Sequence, residues 1–306
     1  RFLQEKTPTH VAIAFDHPSP TFRHAEYSEY KVTRKPSPPD FKAQLPVLKE
    51  VLGTLNLPVV ELAGFEADDI IGTLCTQAQE QGFSVDILSG DKDCLQLVSG
   101  CARAILPIRG ITQVKEYDPE FVLRDLGFSP SQVIDYKALA GDSSDNIPGV
   151  KGIGEKTATS LLGKFGSLDG IYEHLEEVTP ARVQRLLTEY RDVALLSRHL
   201  ATIKTDVPLP VHPEDLEWTG PDISRARPKF NELELYSLAQ RLGSLKPDNA
   251  GENSEANAAE VVAKRPRPGA SLFEEQIDVA STGPMSSGAA TSGEASTGRA
   301  DPGAAG

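Results

Sequence analysis

VVELAGFEADDIIGTLCTQAQEQGFSVDILSGDKDCLQLV, residues 59–98, reads as strand, helix, strand, helix. VVEL (59–62) and VDIL (85–88) are short apolar runs of strand length. Between them EADDIIGTLCTQAQEQG has acids in its first turn and closes at Gly82, as a helix does. SGDKD follows the second strand and leads into a further helix, DCLQLV. Upstream, VAIAF (11–15) is another buried strand, with Asp16 at its C-terminal tip. Residues 40–55 carry Phe41, Leu45, Leu48, Val51, Leu52 and Leu55 at helical spacing. Alternation at these intervals predicts an α/β domain on a parallel sheet. In such sheets functional groups collect beyond the carboxyl ends of the strands.

Acidic residues gather at just that edge. Asp16 ends one strand, Asp91 and Asp93 follow another, and Glu66, Asp68 and Asp69 open the intervening helix. Asp142 and Asp145, in GDSSDN, form a fourth cluster. Any one of these has an ordinary explanation as a cap, a turn residue or a complement to a helix dipole. Four together would repel one another and resist ionising. Hard divalent cations resolve the conflict, since oxygen-only donor sets suit Mg²⁺ or Mn²⁺. A pair of such ions is a standard means of hydrolysing a phosphodiester. Asp118, Asp125 and Asp135 read instead as solvated or capping acids.

The chain has 306 residues and a net charge of −13. It is long enough for two modest domains. The charge argues against nucleic acid until its distribution is considered. The segment from Lys246 onward contributes −4, and the eight clustered carboxylates nearly account for the remainder. Acidity therefore predicts metal-dependent binding rather than excluding DNA. No apolar run approaches the ~18 residues of a membrane helix. RFLQEKTPTH has neither a start Met nor an apolar leader, which suggests a fragment or a processed product. Cys75, Cys94 and Cys101 are odd in number and form no CxxC pair, as expected of free, buried thiols in a reducing compartment. No His lies at zinc-ligand spacing from them.

From about 117 to 243 the pattern turns helical, and within it lies IPGVKGIGEKTATSLLGKFGS (147–167). Gly149, Gly152 and Gly154 predict a tight hairpin, with a helix starting near Glu155. Amides exposed at such a turn form a nest for phosphate, and Lys151 and Lys156 add charge. Thr157 stands where a dinucleotide fingerprint needs its third glycine, and Glu155 interrupts a Walker A loop. A helix–hairpin–helix remains, gripping a duplex backbone without reading sequence. A plain αα-hairpin is the bland alternative. Arg23, His24, Tyr27, Tyr30, Lys31, Arg34 and Lys35 interleave cations with aromatics, which suits a single strand of nucleic acid. A solvated loop would show the same composition. Residues 246–306 are Ala/Gly/Ser/Glu-rich and read as disordered.

AFDHPSPTFRHAEYSEYK, GFEADDIIGTL, ILSGDKDCLQLV and ALAGDSSDNIPGVKGIGEKTA together resemble the 5′-nuclease family. That family comprises the 5′→3′ exonuclease domain of bacterial DNA polymerase I, related phage enzymes and flap endonucleases. The similarity runs from about Thr9 to about Gly243. It implies a PIN-like parallel-sheet nuclease core over 1–116 with an arch at 17–40. A helical domain over 117–245 with the hairpin at 147–167 would follow, then the disordered tail.

The resemblance further implies that Asp16, Glu66, Asp68 and Asp69 serve a first Mg²⁺ or Mn²⁺ site, and Asp91, Asp93, Asp142 and Asp145 a second. Arg23, Lys31 and Arg34 match the family's arch, which steers the scissile phosphate, and Tyr30 falls beside them. Gly149, Lys151, Gly152, Gly154, Lys156 and Thr157 match its duplex-binding hairpin, where carbonyls also hold K⁺. The expected function is structure-specific 5′-nuclease and 5′→3′ exonuclease action on DNA flaps or ends, in primer removal and repair. The family pattern begins with a strand ending in Asp-Gly; here Asp169-Gly170, in a helical region, is the only such pair. A catalytically poor branched-DNA-binding protein is therefore the alternative. A related PIN-class RNase has no reason to carry the hairpin. A monomer is expected, in a bacterial nucleoid or a plastid or mitochondrion. PGASLF (268–273) loosely resembles a sliding-clamp docking peptide without its leading Gln, and KRPR (264–267) a nucleic-acid patch.

Overall fold

The strands that end in acids do pair in parallel, but the sheet they form is in two pieces. In the computed structural model, which describes residues 1–110 and 113–245, β1 (Ile13–Ala14) pairs in parallel with β2 (Val59–Val60). Separately, β3 (Val85–Leu88) pairs in parallel with β4 (Ala102–Arg109). β5 (Gln113–Tyr117) runs antiparallel to β4, with an irregularity between Pro107 and Arg109. The sequence reading missed β4 and β5. ARAILPIR has a proline inside it and QVKEY is polar, so neither shows a clean period. Pro107 is tolerated because the ladder is already irregular there.

Before the sheet comes α1 (Phe2–Lys6). A short α2 (Phe22–Glu26) and a longer α3 (Pro39–Thr54) follow β1, so the 17–40 stretch is not a plain loop. The helix α4 (Ala67–Glu80) lies between the two sheet pieces. Its Ile70 and Leu74 pack with Val60, Val207 and Leu216, while its Cys75 joins Ile87, Leu95, Ala102 and Leu106. Each fully buried aliphatic side chain contributes about 1.5–3 kcal/mol. Gly72 lets α4 approach the 203–204 segment, since a Cβ there would meet the Lys204 carbonyl oxygen at 2.8 Å. The expected helix DCLQLV is a 3₁₀ segment, Lys92–Leu97, capped by Asp91, whose Oδ1 accepts from the Asp93 amide at 2.9 Å.

Helices α5 (Pro119–Leu126), α6 (Val133–Ala140), α7 (Glu155–Phe165), α8 (Leu168–Glu173), α9 (Ala181–Glu189) and α10 (Arg191–Ala201) form the expected helical half. Leu139, Leu161, Leu162, Leu168, Ile171 and Leu187 make its core. Two more helices, α11 (Ile223–Glu232) and α12 (Tyr236–Arg241), close on Val51 and Leu55 of the α3 end. The first of these escaped the sequence reading because Pro228 sits inside it. All described residues belong to one compact unit. The Ala/Gly/Ser tail, PGASLF and KRPR lie outside them.

Asp118 caps α5 by accepting from the Phe121 amide at 2.7 Å, and Asp125 pairs with Lys115 at the surface. Asp135 is not solvated. It is 3% exposed, accepts from the Leu168 amide and pairs with Arg198. Cys75 and Cys94 are buried as expected, whereas Cys101 is exposed.

Candidate metal centre and glycine hairpin

Each acid cluster is carried to the site by a local feature of its own. Asp16, at the tip of β1, reaches across to accept from the Ala67 amide at 2.8 Å, at the first turn of α4. Glu66 is the N-cap of that helix and Asp68 lies in its first turn. Asp91 and Asp93 begin the 3₁₀ segment after β3. Asp142 and Asp145 follow α6, in a turn closed by reciprocal Asp142–Ile147 backbone bonds of 2.9 and 2.8 Å. The fold thus brings residues from four separate segments to one edge.

Their mutual influence is visible in their protonation. Burial, then the charges of Asp91, Asp93 and Glu66, push the Asp68 carboxyl up to about 7. Burial likewise raises Asp93 to about 6 against the opposing pull of Lys137. Burial would raise Asp142 too, but Lys137 and Ser144 hold it down at about 2. Among the described residues, no three His, Cys, Asp or Glu close on a common point as metal ligands do. Cations stand between the acids instead. The Lys31 ammonium is 2.5 Å from Glu66 and 3.6 Å from Asp145. Arg34 pairs with Asp145. Lys137 bridges Asp93 and Asp142, 2.5 Å from the latter. An oxygen-only donor set, crowded enough to hold two carboxyls partly protonated near neutral pH, fits hard divalent ions.

Lys31 sits in the left-handed region, φ 55°, as does Asn146 at φ 57° beside Asp145. The Lys31 amide donates to the Asp145 carbonyl at 2.9 Å, joining the two segments. Residues held in sparsely populated backbone regions persist where the surrounding structure over-determines them.

Four expectations are corrected by the geometry. Arg23 does not line an arch. It is 3% exposed, and its guanidinium binds both Asp69 oxygens at 2.7 and 2.8 Å, with further bonds to the Leu200 and Thr202 carbonyls. Asp69 is correspondingly not free for a metal. It is fully buried and also accepts from the Glu66 and Lys204 amides. Tyr30 is no stacking platform. It is 3% exposed and donates to Glu66 at 3.0 Å and to Asp145 at 3.2 Å. Gly149 does not offer its amide outward, because it donates to Ser197 Oγ at 3.0 Å in the interior. Its φ of 61° and the Gly141 backbone packed against it leave no room for a side chain.

The rest of the hairpin lies at the surface. Lys151, Gly152, Gly154 and Lys156 are exposed, Thr157 is half-buried, and Gly154 caps α7. Gly152 has φ 88°, and a Cβ there would meet Leu186 at 3.2 Å. Lys137 was missed by the sequence reading. A lysine in a helix ordinarily extends to solvent, and no spacing rule pairs Lys137 with Asp93. Its loss is an expected test of the site. Lys137→Met leaves two half-buried carboxylates without their shared counter-charge, lowering stability by about 1–3 kcal/mol. Added Ca²⁺ should then raise the melting temperature of the variant more than that of the wild type, a comparison calorimetry can make.

A two-piece α/β sheet with acids at its strand ends is thus joined to a helical half that carries an exposed glycine hairpin. Residues 1–127 match the 5′-3′ exonuclease N-terminal resolvase-like domain, and 128–224 match the 5′-3′ exonuclease C-terminal SAM fold. The chain belongs to the 5′-3′ exonuclease family. It is similar to DNA polymerase I of Bacillus caldotenax, 40% identical over 265 residues, covering 87% of this chain and 30% of that protein. DNA polymerase I of Bacillus subtilis is 43% identical over 243 residues, 79% of this chain and 28% of the relative. The chain thus spans less than a third of the curated relatives it matches. Among solved structures, phage T5 5′-exonuclease with bound zinc superposes with a TM-score of 0.55 at 20% identity. That match covers 76% of this chain and 83% of the phage protein and shows the shared fold.

Proposed function

We propose that the chain is a structure-specific 5′-nuclease with 5′→3′ exonuclease activity, acting on DNA flaps or frayed ends in primer removal and repair. The observation that carries this reading is the meeting of Glu66, Asp68, Asp91 and Asp93, where burial and then the neighbouring acids raise Asp68 to about 7, beside the cations Lys31 and Arg34. The solved T5 exonuclease structures include complexes with divalent metal ions and with DNA, which supports both partners. Asp16, Glu66 and Asp68 would hold one Mg²⁺ or Mn²⁺, and Asp91, Asp93, Asp142 and Asp145 a second. Bound divalent ions supply water activation and neutralisation of phosphate charge. Arg23 and Asp69 act behind the site, fixing the start of α4 against the end of α10. Lys31 and Arg34 place positive charge on the phosphate as negative charge builds. Tyr30 orients Glu66 and Asp145. Lys151, Gly152, Gly154 and Lys156 hold the duplex by its backbone as a monomer, and K⁺ at the hairpin belongs to the same reading.

The test is a 5′-labelled flap substrate. Short 5′ products are expected in Mg²⁺ and none in excess EDTA. Equal cutting in EDTA would end the metal-dependent reading, and binding in Ca²⁺ with no cleavage in Mg²⁺ would identify a binding protein instead.

The pH dependence has a definite sign. In the ion-free chain Asp68 holds a proton up to about 7 and Asp93 up to about 6. An entering divalent ion must displace those protons. Ca²⁺ affinity should therefore fall by about tenfold per unit as pH drops below 7, more steeply below 6, and level off above 7. Titration calorimetry in buffers of different ionisation enthalpy should register the released proton directly.

A further inference from the structure

One cavity, of about 310 Å³, opens between the tip of β1, the 17–21 loop with the start of α2, and the acid edge. Its acidic wall is Asp16 and Glu66, and its cationic wall Lys31 and Arg34. The remaining wall belongs to neither the metal ligands nor the expected arch cations. It carries two imidazoles, His17 and His24.

The tautomer of both rings is fixed by the backbone. His17 Nδ1 accepts from the Ser19 amide at 3.2 Å and contacts Ser19 Oγ at 2.7 Å. His24 Nδ1 accepts from the Thr21 amide at 3.3 Å and contacts Thr21 Oγ1 at 2.9 Å. A backbone N–H can only donate, so each Nδ1 presents a lone pair and each Nε2 carries the hydrogen. Both rings are thereby held as N–H donors without needing to be charged. Pro18 and Pro20 restrict the loop between them. Glu66 is already compensated by Lys31 and engaged by Tyr30, and Asp16 by the Ala67 amide. What the cavity offers a ligand is two pre-set imidazole donors and two long cations around a space that suits a small group.

We propose that this cavity binds the terminal phosphate of a nucleic-acid 5′ end, with His17 and His24 as the residues that distinguish a phosphorylated end from a hydroxyl end. The proposal rests on the 5′-nuclease reading and adds to it a preference for one chemical form of the end. A phosphomonoester presents several acceptor oxygens and two negative charges, matching the two imidazole N–H groups, which unlike Lys31 and Arg34 are not engaged by a carboxylate among the described residues. A 5′-hydroxyl matches the same donors poorly.

The experiment measures binding in Ca²⁺, to a 3′-labelled duplex with a short 5′ overhang ending in phosphate or in hydroxyl. The wild type should bind the phosphorylated end about tenfold more tightly, the effect of hydrogen bonds to a charged acceptor. His24→Glu keeps a Thr-x-x-Glu capping box around Thr21 while replacing a donor by an anion. The ratio of the two affinities should collapse to one or below. His17→Ala, outside any helix, reads the same ratio if His24→Glu melts early. Equal affinities in the wild type, or an undiminished ratio in both variants, would overturn the phosphate pocket while leaving the nuclease reading intact. A wild type that binds neither DNA would overturn both.

Discussion

Lys31→Met should lower kcat for flap cleavage by on the order of 10²–10³, the loss expected when one preorganised charge facing the reacting phosphate is removed. Methionine keeps the length of the stem and none of the charge. The Lys31 ammonium lies 2.5 Å from Glu66 and 3.6 Å from Asp145, so it spans acids contributed by α4 and by the turn after α6. It also restrains the proton on Asp68, where it opposes burial and the neighbouring carboxylates. Removing it therefore has two consequences. Transition-state charge is less well met, and the ion-free site holds its protons more tightly. Single-turnover cleavage against Ca²⁺-supported DNA binding separates them. A fall in kcat with binding changed only a few fold supports the assigned role. A parallel collapse of binding would make Lys31 a general DNA contact instead.

Asp69→Ala should destabilise the fold by about 3–5 kcal/mol, the cost of leaving a buried charge without its partner. Asp69 is fully buried and Arg23 3% exposed, and the guanidinium makes two further bonds to the Leu200 and Thr202 carbonyls. The pair ties α2, α4 and the end of α10 together. Denaturant unfolding gives the direct measurement. Arg23→Met with Asp69→Leu should recover much of the loss, because a buried pair replaced by apolar side chains of similar size is often neutral. Had Arg23 been a phosphate contact, Arg23→Met alone would depress DNA binding without a large change in stability.

Much of this site could be read from the chain because strand and helix signals carry their acids with them. VDIL is a strand over the very residues expected, and SGDKD follows it. The helix opened by Glu66 runs from Ala67 to Glu80, as its first-turn acids and Gly82 imply. What failed was the inference from residue type to exposure. The alternation of cations and aromatics around Arg23 and Tyr30 suggests nucleic-acid contacts. Composition cannot say which side of a short helix or turn faces in, and both lie inside. Asp69 follows Asp68 directly, and neighbouring positions on a helix point in different directions. One faces the acid edge and the other the Arg23 guanidinium. Lys137 and Ser197 could not be found at all. Their partners, Asp93 and the Gly149 amide, lie 44 and 48 positions away. The β4–β5 ladder was hidden for a different reason, since its strands pack one face and carry charge on the other without strict alternation.

The central claim is that acids from four segments jointly hold two divalent ions. Mn²⁺ titration followed by electron paramagnetic resonance counts bound ions without relying on turnover. The wild type should take up two Mn²⁺ per chain, and Asp93→Asn, which removes one carboxylate beside Lys137, should retain one. A chain that binds no Mn²⁺, or an Asp93→Asn variant that still binds two with undiminished affinity, would contradict the account.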